Sequence, residues 1–261
     1  MPHEDGNGSC MIGRKAPWAV VAALILGGVA LGLHLRDAAL RRDLLRADPA
    51  ALAGDARLYA YATERGKAVF AQHCAACHGP GGEGRSAGGI PDLHDGEHLY
   101  GEGRIDQIEQ ITRYGIRSHH SLGWNLASMP AYATTQPSAD KAIRPLTPAQ
   151  VSDLTQFVLG LGGRSRDGAA VERGKALFAG SGGCYDCHGA DAAGDSAIGA
   201  PSLADAVWLY GGSAEQIRSS IEKGRAGVSP AFLHTLDAAD IRAVSAFTFG
   251  LSRQDEHHGG R

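Results

Sequence analysis

Two copies of one short pattern constrain this chain more than anything else in it: Cys74-Ala75-Ala76-Cys77-His78 and Cys184-Tyr185-Asp186-Cys187-His188. They use four of the five cysteines. Two thiols three positions apart on a helical turn reach the two vinyl groups of one haem, and the histidine that follows lies under the iron as its proximal ligand. A zinc ribbon is the competing reading, but it needs its cysteine pairs about 15–20 residues apart. Here the pairs lie far apart in the chain and each carries its own histidine. A redox-active C-x-x-C is not expected twice with a trailing His. The pattern therefore implies two covalently bound haem c groups, on Cys74/Cys77 and Cys184/Cys187, with His78 and His188 as proximal ligands. A ligating imidazole needs an acceptor for its other N–H to fix the ring. The carbonyls of Pro91 and Pro201, each following its motif after a Gly-rich loop, are the candidates.

The surroundings of the two motifs repeat as well. Arg65-Gly66-Lys67-Ala68-Val69-Phe70 returns as Arg173-Gly174-Lys175-Ala176-Leu177-Phe178, Leu99-Tyr100-Gly101 as Leu209-Tyr210-Gly211, and Met129-Pro130-Ala131-Tyr132 as Ser229-Pro230-Ala231-Phe232. The period is too long for a solenoid, so the chain holds two tandem copies of one domain. Each copy closes on a helix. Thr147-Pro148-Ala149-Gln150 combines an N-cap, a proline at the first helical position and a capping-box glutamine. Val151, Leu154, Val158 and Leu161 follow at helical spacing, up to Gly162-Gly163. Asp237 caps the second such stripe, Ile241, Val244, Thr248 and Leu251. Both stripes read as core packing. No segment alternates with period two for long enough to be a strand, so the expected class is all-α.

Ahead of the repeat, residues 17–35 carry no fixed charge and span roughly 28 Å as a helix, close to the hydrocarbon thickness of a bilayer. Trp18 stands at one border, where indole favours the interface. The run is long for a signal peptide, and the nearest A-x-A, Ala51-Leu52-Ala53, lies well beyond it. The expected organisation is a cytoplasmic tail (1–16), a transmembrane anchor (17–35), a helical or extended stalk (36–58), a first haem domain (59–163), a flexible link, a second haem domain (168–253) and a tail (254–261). Charge does not orient the span, because Arg36, Arg41, Arg42 and Arg46 follow it. Thioether-linked haem c is made outside the bacterial cytoplasmic membrane, which puts both haem domains in the periplasm and Cys10 in the cytoplasm. Cys10 lacks a lipobox and is expected as a free thiol. A net charge of −3 offers no field for nucleic acid.

From these residues the chain resembles class I cytochrome c: a helix with Gly66 and Phe70, the attachment motif, a mid helix, a Met-Pro loop and a last helix. The resemblance implies that Gly66 crosses Phe157 within the first copy and Gly174 crosses Phe247 within the second. Longer segments are more particular. Trp208-Leu209-Tyr210-Gly211-Gly212-Ser213, Gly224 to Phe232, and Tyr114-Gly115-Ile116-Arg117 ahead of Met129 are similar to the dihaem subunit of cbb3-type cytochrome oxidases, over roughly residues 59 to 252. The chain departs from that family in its approach to the span, which lacks a Pro- and Trp-rich segment, and in Ser229, which stands where the family's second domain has its ligating Met.

That resemblance implies an electron-transfer subunit rather than a catalyst on its own. It would be bound to haem–copper oxidase core subunits, with a donor cytochrome upstream, at the bacterial inner membrane. The alternatives are a stand-alone dihaem carrier for another periplasmic enzyme and a haem-based ligand binder. For the first haem the expected distal ligand is Met129, preferred over His119 and His120. The remaining methionines, Met1 and Met11, precede the span, so the second haem has none. There the expectation is His234, reached by a modest loop shift, or an open position.

Overall fold

Helix starts follow from the caps written in the sequence. The computed structural model describes residues 16–85, 88–134 and 144–253. Among these there is no strand, only isolated bridges between loops. Contacts divide the chain at Arg46, so the first helix and the residues from Ala47 onward are distinct units.

Helix α1 spans Ala16–Arg46. Trp18, Leu24, Ile25 and Leu26 are exposed on it. Over residues 18–35 the helix is apolar and exposed on every side, which suits lipid. It is long and apolar enough to cross a membrane. The expected stalk is divided: residues to Arg46 continue α1, Pro49–Gly54 form a 3-10 turn, and α2 already begins at Ala56.

The second unit holds eight further helices among the described residues: α2 (Ala56–His73), α3 (Ala75–His78), α4 (Ile105–Tyr114), α5 (Pro148–Leu161), α6 (Gly168–Ala179), α7 (Tyr185–His188), α8 (Ala214–Lys223) and α9 (Ala238–Ser252). Asp55 caps α2 by accepting from the amides of Arg57 and Leu58. Thr147 and Gln150 close the expected capping box on α5, and Ser213 and Gln216 close another on α8. Asp237 caps α9.

The helices do not pair in chain order. Helix α2 crosses α9, and α5 crosses α6; α4 lies against α9, and α8 against α5. The crossings are tight. A Cβ on Gly66 would collide with the Ala243 carbonyl and the Phe247 Cβ, and one on Gly174 with the Asp153 carbonyl and the Phe157 Cβ. The expectation that Gly66 meets Phe157, and Gly174 meets Phe247, is therefore corrected. Each copy gives its last helix to the other.

The loops before those helices are exchanged too. Ile116 and Ser229 trade both backbone hydrogen bonds at 3.0 Å, and Met129 and Arg225 do the same at 2.9 and 3.1 Å. Tyr132 N donates to Ile221 O on α8, while Phe232 N donates to Thr112 O on α4. Two physical causes favour this arrangement. The link between α5 and α6 is short, and short connections make antiparallel neighbours. The second is charge. Glu109 on α4 accepts from Arg242 on α9 at 2.9 Å and from Arg113 at 2.6 Å, with the Glu109 side chain only 8 % exposed. Aligning α4 with α8 at Gly115 and Gly224, and α5 with α9 at Phe157 and Phe247, puts Arg218 at the position of Glu109 and Ser152 at that of Arg242. Pairing in chain order would set Arg218 against Arg242, two like charges in a dry contact, and leave Glu109 facing Ser152.

Candidate haem sites

Each attachment motif is one short helical turn. His78 N donates to Cys74 O at 2.9 Å, and His188 N to Cys184 O at 3.0 Å. Gly79 (φ 83°) and Gly189 (φ 76°) stop the turns in a backbone conformation that disfavours side chains. The chain then folds back identically in both copies: Gly84 N reaches His78 O and Gly194 N reaches His188 O, each at 2.8 Å.

That loop carries a proline carbonyl to the imidazole. Nδ1 of His188 lies 2.9 Å from Pro201 O. Around His78 the matching carbonyl, Pro91 O, is close enough to favour the protonated ring, yet Nδ1 is buried without a partner at full hydrogen-bond geometry. The contact is thus closed in one copy and slack in the other. Burial pushes both imidazoles below the ordinary histidine range, opposed by the proline carbonyls, so both are neutral near pH 7 and carry a free lone pair. Burial also pushes the Cys74 and Cys184 thiols up to about 11. None of the four motif cysteines is in a disulfide.

A continuous cavity of about 560 Å³ is lined by both cysteine pairs and both histidines, and by Met129 and Ser229. The clusters around it show which residues the fold brings together. Met129 and Cys184 pack against Tyr132, Phe178, Ile217 and Ile221, with Leu203 and Trp208. Cys74 packs with Phe70, Val244, Leu93, Phe232 and Phe247. Phe70 also lies 6.5 Å from the His78 ring, centroid to centroid. Met129 therefore stands with His188, and the Ser229 loop with His78, the reverse of chain order.

His234 is exposed and does not line the cavity, and neither does His119 or His120. His120 stacks instead on Tyr114 at 4.7 Å. Cys10, Met1 and Met11 lie outside the described residues.

Two aromatic residues noticed in the sequence only as repeat markers prove to cross between the sites. The Tyr100 ring lies on Gly199, beside the Pro201 loop, and the Tyr210 ring on Gly89, beside the Pro91 loop. The Tyr100 hydroxyl is buried without a partner and lines the cavity. Arg117 donates to Gly227 O at 2.7 Å and Arg225 lies over the Tyr210 ring at 4.4 Å. A signal existed in the repeat of Leu-Tyr-Gly; which copy each tyrosine serves was not in it.

Four unpaired thiols, two neutral imidazoles, a thioether and two unpartnered buried polar atoms around one largely apolar cavity suit two covalently held haems.

Comparisons with known proteins agree. Residues 63–162 match the cytochrome c family model, and residues 169–247 match that of cytochrome c oxidase, cbb3-type, subunit III. The cbb3-type cytochrome c oxidase subunit CcoP of Rhodobacter capsulatus is 38 % identical over 221 residues, covering 82 % of this chain and 70 % of that protein. CcoP of Cereibacter sphaeroides is 36 % identical over 215 residues, with the same coverage. FixP of a Bradyrhizobium species is 37 % identical over 198 residues, covering 76 % and 63 %.

Proposed function

Because the chain belongs to the family of cbb3-type cytochrome c oxidase subunits CcoP and FixP, we propose that it is the membrane-anchored dihaem subunit that passes electrons to a haem–copper oxidase core. It carries two covalently bound haem c groups. The haems supply a one-electron iron couple; the protein holds them and sets their potentials. Electrons arrive from a donor cytochrome in the periplasm, and α1 anchors the chain in the bacterial inner membrane with both haems on the periplasmic side.

Each residue then has a defined task. Cys74 and Cys77, and Cys184 and Cys187, form the thioethers. His78 and His188 would hold the irons, with the Pro91 and Pro201 carbonyls orienting their rings. Met129 would ligate the haem held by Cys184 and Cys187. Its thioether sulfur favours reduced iron and raises that haem's potential. The packing of Met129 beside Cys184 supports this assignment.

One observation carries the reading: both attachment motifs open into one cavity of a single folded unit. That geometry suits a relay better than two independent carriers. Purification of the native complex from membranes tests it. The expected result is co-purification with a haem–copper subunit; recovery free of any such subunit defeats the proposal.

A further inference from the structure

We infer that the haem carried by Cys74 and Cys77 has no protein ligand on its distal face and binds a small neutral diatomic ligand there when reduced. The inference rests on the dihaem reading above and adds to it a ligand site at one iron.

The exchange of loops locates the site. The Ile116–Ser229 backbone pair fixes the register at the His78 end, as the Arg225–Met129 pair does at the His188 end. Ser229 therefore takes the position that Met129 holds at the other haem. Its hydroxyl is shorter than a thioether and a weak ligand for haem iron. The chain has only three methionines, and Met1 and Met11 precede α1.

Of the histidines near this end, His73 and His98 line the cavity and His234 does not. The His234 loop is tied down by Phe232 N to Thr112 O at 3.0 Å, Leu233 N to Arg113 O at 3.1 Å and Leu236 N to Phe232 O at 2.9 Å. Bringing His234 inward breaks these bonds and draws buried Leu236 out of the core. His98 lies on the loop leading into α4, against Gly103 and near Asp95 and Glu97. It corresponds to Trp208 of the other copy, not to Met129. His73 is exposed on α2, immediately before Cys74.

The lining decides the ligand class. Val228, Pro230 and Phe232 of the loop line the cavity with Ile111 and Ile116; Ser229, Thr112, Thr248 and Ser252 add hydroxyls, and the Arg117 guanidinium is turned to the Gly227 carbonyl at 2.7 Å. Apolar walls penalise a charged ligand and admit a neutral diatomic. Val228 both lines the cavity and is 68 % exposed.

The test uses the full-length, haem-loaded protein in detergent, with carbon monoxide as the probe. On reduction, the expected uptake is one carbon monoxide for every two haems, while the ferric protein keeps the near-infrared band of methionine-bound iron. Ser229→Met should abolish the uptake and strengthen that band. Met129→Leu should double the uptake and remove the band, and it serves as the second variant should Ser229→Met fail to fold. No uptake by a low-spin wild-type protein overturns the inference, as does uptake unchanged in a folded Ser229→Met protein. A pyridine haemochrome count of two per chain with no uptake defeats the open site and leaves the dihaem reading standing; a count of one defeats the dihaem reading itself.

Discussion

Met129 and the two crossing glycines concentrate most of what single residues decide here. Met129 lies with Cys184, one copy away from the motif that precedes it in sequence. Replacing Cys184 and Cys187 together by serine removes the haem that Met129 serves under the exchanged arrangement. The near-infrared methionine band should vanish, although Met129 and His78 are both intact. Under chain-order ligation the band would survive, so one ferric spectrum separates the two. Gly66 and Gly174 set the spacing of the two helix crossings, where an added Cβ meets backbone rather than a flexible side-chain tip. Gly66→Ala should therefore destabilise the protein by about 1–3 kcal/mol through overpacking. Denaturant unfolding of the haem-loaded protein measures it, and a loss below a few tenths of a kcal/mol would contradict the close α2–α9 approach.

At the scale of elements, the helices were legible and their partners were not. The capping signals of α5 and α9, Thr147 with Gln150 and Asp237, were readable because a cap is a local hydrogen bond. Partner choice is non-local. Gly66 and Gly174 are alike, as are Phe157 and Phe247, so either pairing of first and last helices satisfies the apolar pattern. The distinction rests on the Glu109–Arg242–Arg113 cluster; the matching residues of the other copy are Arg218, Ser152 and Glu222, where a weaker Arg218–Glu222 contact at 3.8 Å has the charges reversed. Glu109→Gln leaves two guanidinium groups short of their carboxylate in a poorly solvated contact and should cost about 3–5 kcal/mol. Loss of a double-mutant coupling between Glu109 and Arg242 would refute the role given to the pair. A weaker pair ties α5 to α6: the Arg173 guanidinium, hydrogen-bonded to Asp153, holds that carboxyl below its ordinary value of 3.8. Because the folded value is the lower one, the stabilisation is complete above the unfolded value and drains away as pH falls through the folded one. Asp153→Asn should flatten the dependence of melting temperature on pH below about pH 4, and an unchanged slope there would remove Asp153 from that account.

For the whole molecule, the exchange makes one body of what the sequence writes as two beads. The repeat and the membrane-length helix were legible, since each is a pattern in neighbouring positions. The assembly was hidden because a duplicated sequence does not say which copy completes which site. Here neither half is complete alone. The half before the link carries α2 and α4 without α9, and the half after it carries α6 and α8 without α5. Each lacks the helix that covers its own cysteine pair, and the lost face is apolar, as in the Val151, Leu154, Val158 stripe of α5 and the Ile241, Val244, Leu251 stripe of α9. Exposing such stripes to water costs about 25 cal/mol for each Å² of apolar surface. The link itself, residues 162–167, is mostly exposed, so a protease site inserted after Gly163 can be cut without entering either core. Cutting it should leave two haem-bearing fragments that separate on a denaturing gel yet co-elute in non-denaturing gel filtration in detergent. Their association should survive high salt, because burial rather than surface charge holds them together, and should fail in denaturant at the same midpoint as loss of the methionine band. Fragments that part on cutting, each retaining its own native spectrum, would show two self-sufficient domains and would end the exchanged-helix account.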